Sequence, residues 1–242
     1  MASWTRPMTF SSPDDPSSPL SISPDKTALL IMDYQNFHIT KLGDAGVSVV
    51  KIAAQMRDWA LSRGMSVFHC LVDTGPEARP PPWSKMAMKW KMHYQDMLTN
   101  AAWLGWEAES VAPKGNKGGT AGIGTAGSGS IPVSAIVTDQ SQPRELTVLR
   151  QPGTLSALES RGLPEMLKAC GVKSLILCGI ATSGCVLSTA RAATDQGFIV
   201  TVVEDACFDP VPGVHTMVVT HLLPVTAHVA TSGEVRDAWM VF

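Results

Sequence analysis

The 242-residue sequence has no long apolar run: the Ala28 to Met32 run is stopped by Asp33, and none comes near the roughly 18 apolar residues that cross a bilayer. A membrane-spanning role is excluded on that ground. There is no excess of charge either, since 19 basic and 21 acidic side chains leave a net charge of -2. Nothing in that balance supplies the cationic surface that holds a phosphate backbone, so nucleic acid is excluded as a partner. The five cysteines, at positions 70, 170, 178, 185 and 207, form no C-x-x-C pair and are odd in number. A disulfide framework is therefore not expected, and free thiols fit a reducing, cytoplasmic setting. Residues 1–25 hold Pro, Ser and the pair Asp14-Asp15 but no apolar stretch of the secretory kind, and they read as an N-terminal arm.

What is present is a globular composition, 45% apolar and 17% charged, with 20 Gly and 17 Pro unevenly placed. The segments Lys26–Met32 (KTALLIM) and Ser66–Val72 (SVFHCLV) are short apolar runs, each followed by an aspartate, and both read as buried parallel strands. Between them, apolar residues from Val47 to Leu61 recur at helical spacing and stop at Gly64. The rhythm resumes with a strand at Glu145–Leu149, a helix at Leu158–Ala169, a strand at Ser174–Cys178 and a helix from about Gly184 to Asp195. A strand at Phe198–Val203, a helix at Val214–Leu223 and a short strand at His228–Thr231 follow. This alternation predicts an α/β fold of three layers, α-β-α, with a doubly wound and mainly parallel sheet.

One interval, 74–144, breaks the rhythm. It starts with Pro76, Pro80, Pro81 and Pro82, continues through Trp83, Met86, Met88, Trp90, Met92, Met97, Trp103 and Trp106, and ends in a stretch rich in Gly, Ala, Thr and Ser from Lys114 to Ser130. Its length suggests a lid or binding loop inserted in one domain of residues 26–242, with the Trp/Met part ordered over the site and the Gly-rich part mobile. Gly122, Gly124 and Gly127 match G-x-G-x-x-G formally. The match lacks the preceding strand and following helix that would bring pyrophosphate to a helix N-terminus, and it carries no nucleotide role.

Three positions with chemistry fall at the carboxyl ends of predicted strands, where ligands gather in open parallel sheets: Asp33, Arg150 and the turn Gly179-Ile180-Ala181-Thr182-Ser183-Gly184-Cys185. Cys185 stands where that turn becomes a helix, a setting that lowers a thiol pKa and favours a nucleophilic thiolate. The alternative is a small buried filler like Cys70, Cys170 and Cys178.

The strand ending in Asp33-Tyr34-Gln35, the basic Arg150 after a middle strand, the element Gly179-Ile180-Ala181-Thr182-Ser183-Gly184-Cys185-Val186 and Asp205-Ala206 after the next strand together resemble the isochorismatase-like cysteine hydrolase superfamily. That superfamily includes nicotinamidases, N-carbamoylsarcosine amidohydrolases and other small-amide hydrolases. The resemblance implies a six-stranded parallel sheet and a catalytic triad of Asp33, Arg150 and Cys185, with Arg150 where the family usually has lysine. It also implies a cis peptide at Ile180-Ala181, an oxyanion hole from the amides of Ala181 and Cys185, and cleavage of a C–N bond through a thioester. Gln35, Phe37, His38, Trp83, Trp90 and Ile180 are the expected substrate contacts.

An arginine cannot shuttle protons, but it can hold Asp33 and offers a bidentate site to a substrate carboxylate. No metal or other cofactor is expected, because Asp73-Thr74-Gly75-Pro76 lacks the histidine of the family's metal-binding members. His69 reads as core. Glu204, Asp205 and Asp209 read as caps and turn formers in a loop. The expected partner is a small molecule, an amide, lactam, ureide or carbamoyl compound, and the family implies a homo-oligomer, a dimer or tetramer. Two alternatives stay open: a vinyl ether hydrolase of the isochorismatase type, and a non-catalytic binding protein in which Arg150 marks a lapsed triad.

Overall fold

A computed structural model of the chain describes residues 10–75, 77–95, 101–114 and 145–241. Residues 115–130 of the Gly-rich stretch, with the G-x-G-x-x-G match, and Met97 lie outside the described residues. Six strands form one all-parallel sheet: β1 (Thr27–Met32), β2 (Ser66–Val72), β3 (Glu145–Arg150), β4 (Ser174–Ile180), β5 (Ile199–Phe208) and β6 (His228–Ala230), in the order β3-β2-β1-β4-β5-β6. The helices are α1 (Asn36–Ile39), α2 (Gly43–Ser62), α3 (Lys85–Trp90), α4 (Leu163–Ala169), α5 (Leu187–Asp195), α6 (Val214–Met217) and α7 (Ser232–Ala238). No helix among the described residues is long and apolar enough to cross a membrane.

Alternation along the central strands builds the three layers. Ala28, Leu30 and Met32 of β1, with Leu175 and Leu177 of β4, face one core, closed by Leu163, Met166 and Leu167 of α4 and by Ala190 and Ala193 of α5. Leu29, Ile31, Ile176 and Cys178 face the other, under Val49, Val50, Ala53, Met56 and Ala60 of α2 and Val235 of α7. Every residue of β1 and β4 is buried, which explains why both read as continuous apolar runs rather than alternating ones. Gly179 allows the close approach of the layers, since a Cβ there would lie 3.0 Å from both Met32 Cβ and Val186 Cγ2.

Some boundaries differ from the sequence reading. β5 does not stop at Val203: Leu177 of β4 faces Val202, but Gly179 faces Cys207, so pairing resumes after a bulge and the strand runs to Phe208. Glu204 and Asp205 therefore lie within the strand and not in a loop. The helix expected from Leu158 starts at Leu163, after Gly162 at φ 77° and with Pro164 in its first turn, and a separate 3-10 turn occupies Ala157–Glu159. The helix expected over Val214–Leu223 widens after Met217 into a π turn, Val218–Leu222. Unforeseen α7 begins with a capping box: Thr231 accepts from the Glu234 N–H, and the Glu234 carboxylate accepts from the Thr231 N–H.

Candidate active site

The sheet order reverses between β1 and β4: from β1 the chain winds outward to β2 and β3, and from β4 outward to β5 and β6. The crevice above such a point is where open α/β sheets take ligands. Asp33 follows β1 and the turn bearing Cys185 follows β4, so the two flank the crevice.

Asp33 is buried and lies in the left-handed region, φ 62°, with its N–H bonded to the Cys70 carbonyl at 3.1 Å. Aspartate is among the few side chains that tolerate this conformation. Arg150 ends β3, two strands away, and its side chain reaches over the end of β2. Its Nη1 donates to Asp33 Oδ1 at 2.8 Å and its Nη2 to Asp33 Oδ2, while Nη1 also meets the Cys70 carbonyl at 3.4 Å and Nε donates to the Thr154 carbonyl at 3.0 Å. Of its five N–H groups, only one is left without a partner among the described residues. The bidentate site expected for a substrate carboxylate is thus occupied by Asp33. Burial alone would lower the guanidinium pKa, but the adjoining Asp33 carboxylate outweighs it and raises it above the usual arginine range.

Cys185 is buried, its thiol donating to the Ala181 carbonyl at 3.7 Å, and it lies close enough to Asp33 for the carboxylate charge to act on it. The Ile180-Ala181 peptide is cis. The expected lowering of the thiol pKa is reversed. Burial, followed by the charge of Asp33, pushes the thiol well above its ordinary value, and Arg150 offsets only part of this. Residues 182–186 form a π turn, and α5 proper starts only at Leu187. Cys185 is a protonated thiol with a carboxylate at hand.

The other expected contacts divide. His38 is brought close to Asp33 and Arg150, and its enclosure pushes its pKa down to about 4 although Asp33 acts to raise it. Phe37 is buried, with its ring 4.1 Å from His38 and 5.3 Å from Tyr94, and Trp90 is buried with its ring 5.6 Å from Tyr94. The Trp/Met interval therefore contributes an aromatic group beside His38, through Trp90 and a residue the sequence reading missed, Tyr94. Trp83 does not join it: it stands in the turn before α3, where the Ser84 N–H bonds to the Pro81 carbonyl, and is 88% exposed. Ile180 points into the apolar core, so only its backbone faces the turn. Gln35 is not free for substrate, since its amide donates to the carbonyls of Val72 and Gly105 and accepts the Val72 N–H, tying β2 to the 101–107 segment.

That segment has a second tie. His69 is core, as expected, but it does not sit there without polar partners: fully buried in β2, it lies 2.8 Å from Glu107 through Nδ1 and 3.1 Å from Glu145 through Nε2. Arg57 of α2 extends the network to Glu145 at 3.6 Å and to the carbonyl of Val111 at 2.7 Å. Asp205 and Asp209 cap and brace as expected, though from the strand and its end: Asp205 accepts from Ser232 N–H and Oγ, and Asp209 from Ser183 and Val211. Among the described residues no three His, Cys, Asp or Glu side chains gather as a metal-ion site.

Known proteins resemble the chain along most of its length. A family model described as the Isochorismatase domain matches residues 27–234. Ureidoacrylate amidohydrolase RutB of Acinetobacter baylyi is 31% identical over 212 residues, covering 80% of this chain and 75% of that protein. The uncharacterized isochorismatase family protein YecD of Escherichia coli O157:H7 is 36% identical over 72 residues, 30% of this chain, and this match spans only 38% of YecD. Among solved structures, a cysteine hydrolase from Pseudomonas syringae pv. phaseolicola shares the fold at TM-score 0.63 and 17% identity, over 91% of this chain and 95% of that one.

Proposed function

The chain belongs to the isochorismatase family, and from that premise we propose that it is a cysteine hydrolase that cleaves the C–N bond of a small amide, lactam, ureide or carbamoyl compound through a thioester. The observation that carries this reading is the buried Cys185 thiol set in the field of an Asp33 carboxylate whose two oxygens are held by Arg150. The amidohydrolase relative RutB supports the same bond class.

A buried thiol with a raised pKa cannot rest as a thiolate, so its proton must leave as it attacks. Asp33 takes that proton while the sulfur bonds to the carbonyl carbon, and the carbonyl oxygen becomes an oxyanion facing the amides of Ala181 and Cys185. Asp33 then returns the proton to the nitrogen, the C–N bond breaks and the amine departs, leaving the acyl group on sulfur. Water adds to the thioester, giving a proton to Asp33, and the thiol is regenerated as the acid leaves. Arg150 moves no proton; it fixes the carboxylate and supplies a compensating charge.

Within this reading residues 26–242 act as one hydrolase domain, 1–25 as an arm, and the 74–144 insertion as the part that shapes the pocket and, with the arm, a homo-oligomer contact. Phe37, His38 and Trp90 are the proposed substrate contacts, with Tyr94 added. Screening small amides, lactams and ureides for release of ammonia or amine, alongside Cys185→Ala, tests the proposal. Release that depends on Cys185 is expected; equal release by both proteins overturns it.

A further inference from the structure

The turn that carries Cys185 is held from outside by a residue that touches neither the sulfur nor Asp33. Asp209, 5% exposed at the end of β5, uses Oδ2 to accept both the N–H of Ser183 at 2.8 Å and its hydroxyl at 2.6 Å, and Oδ1 to accept the Val211 N–H at 3.1 Å. One carboxylate thus joins the turn after β4 to the turn after β5. A carboxylate shielded from water makes such bonds strong and directional. The adjacent residue is braced from the same side, where Thr182 Oγ1 lies 2.9 Å from His215 Nδ1.

Ser183 lies midway between Ala181 and Cys185, the two residues whose amides face the oxyanion in the mechanism above. Fixing its N–H and its hydroxyl therefore sets the direction of the peptide groups on either side. Gly184, the next residue, donates its N–H to the Ala181 carbonyl at 3.0 Å, so the anchored Ser183 sits inside a turn closed on Ala181. We propose that Asp209 is a positioning residue for this turn, aligning the Ala181 and Cys185 amides with the developing oxyanion. The inference rests on the reading of Cys185 as a nucleophile that forms a thioester.

The test uses the full-length protein and 4-nitrophenyl acetate, which acylates a thiol and releases nitrophenolate, with Cys185→Ala supplying the background. Iodoacetamide serves as the control, because alkylation at its methylene carbon needs no oxyanion hole. Asp209→Ala is expected to lower the maximal acylation rate by about 10- to 100-fold, with the half-saturating ester concentration and the alkylation rate changed less than about threefold. Asp209→Asn, which keeps one acceptor, falls between it and the parent. Ser183→Ala, which keeps the backbone bond, loses least.

Parent-level acylation in Asp209→Ala overturns the inference, as does a fall in acylation and alkylation by the same factor across the series. If Asp209→Ala does not fold, the order of Asp209→Asn and Ser183→Ala against the alkylation control decides in the same way. Failure of the underlying reading looks different: Cys185→Ala would then acylate as fast as the parent.

Discussion

Arg150 grips both oxygens of Asp33 across the end of an intervening strand, and the two residues are 117 positions apart in the chain. Their union is buried, and each charge is balanced mainly by the other. Removing one partner strands the other charge away from water. Arg150→Met is therefore expected to cost about 3–5 kcal/mol of stability by urea unfolding, and Arg150→Lys, with one point of contact in place of two, distinctly less. Equal losses in both would show that the paired geometry has no part in the stability.

The thiol and its base give opposite responses to one substitution. Burial and Asp33 both raise the Cys185 pKa, and Arg150 lowers it. Asp33→Asn removes a raising influence and leaves Arg150 in place, so alkylation of Cys185 by iodoacetamide at pH 7, followed by mass spectrometry, should become faster. Amide hydrolysis should fall by about 100-fold or more, since the proton acceptor is gone. Slower alkylation in Asp33→Asn would contradict the electrostatics described here.

Stability should decline on the alkaline side because of His69. Burial alone would depress its pKa, but Glu107 and then Glu145 outweigh burial and push it up to about 9, against 6.5 when unfolded. A raised folded pKa stabilises fully below pH 6.5, and the contribution fades as pH climbs through 9. Its size is on the order of 3 kcal/mol. Unfolding free energies between pH 6 and 10 should show this decline, and His69→Gln should flatten it; an unchanged slope in the variant would assign the decline to other groups.

His38 behaves in the opposite sense. Its pKa, pushed down to about 4 by burial, leaves the imidazole neutral beside Asp33 at pH 5, where an exposed histidine is charged. Its folded pKa lies below the unfolded one, so its contribution to stability is present above pH 6.5 and is lost as pH falls toward 4. Imidazole proton shifts followed by NMR should show no titration of His38 near pH 6.5, and a midpoint there would mean that the ring is open to solvent.

How much of this was legible beforehand depends on the distance over which each interaction acts. β2 and α2 were readable from residue spacing, because burial of a strand or helix face leaves its period in the chain; the capping box of Thr231 and Glu234 is just as local, yet the sequence reading missed the helix it starts. Trp83 and Trp90 were not separable, since both belong to one aromatic-rich segment and only packing against Tyr94 draws Trp90 inward. His69 in an apolar run looked like core, and nothing local reveals that Glu107 and Glu145 arrive on either side of it.

The sequence by itself determined that an alternating α/β chain would place Asp33, Arg150 and Cys185 at strand ends, for a strand's end is a local property. Tertiary structure alone decided what those residues do to one another. Strand order brings Arg150 over β2 to occupy Asp33, burial turns Cys185 from an expected thiolate into a protonated thiol, and the bulge in β5 delivers Asp209 to Ser183. Charge, desolvation and hydrogen bonding depend on separation in space, and spacing along the chain does not carry that distance.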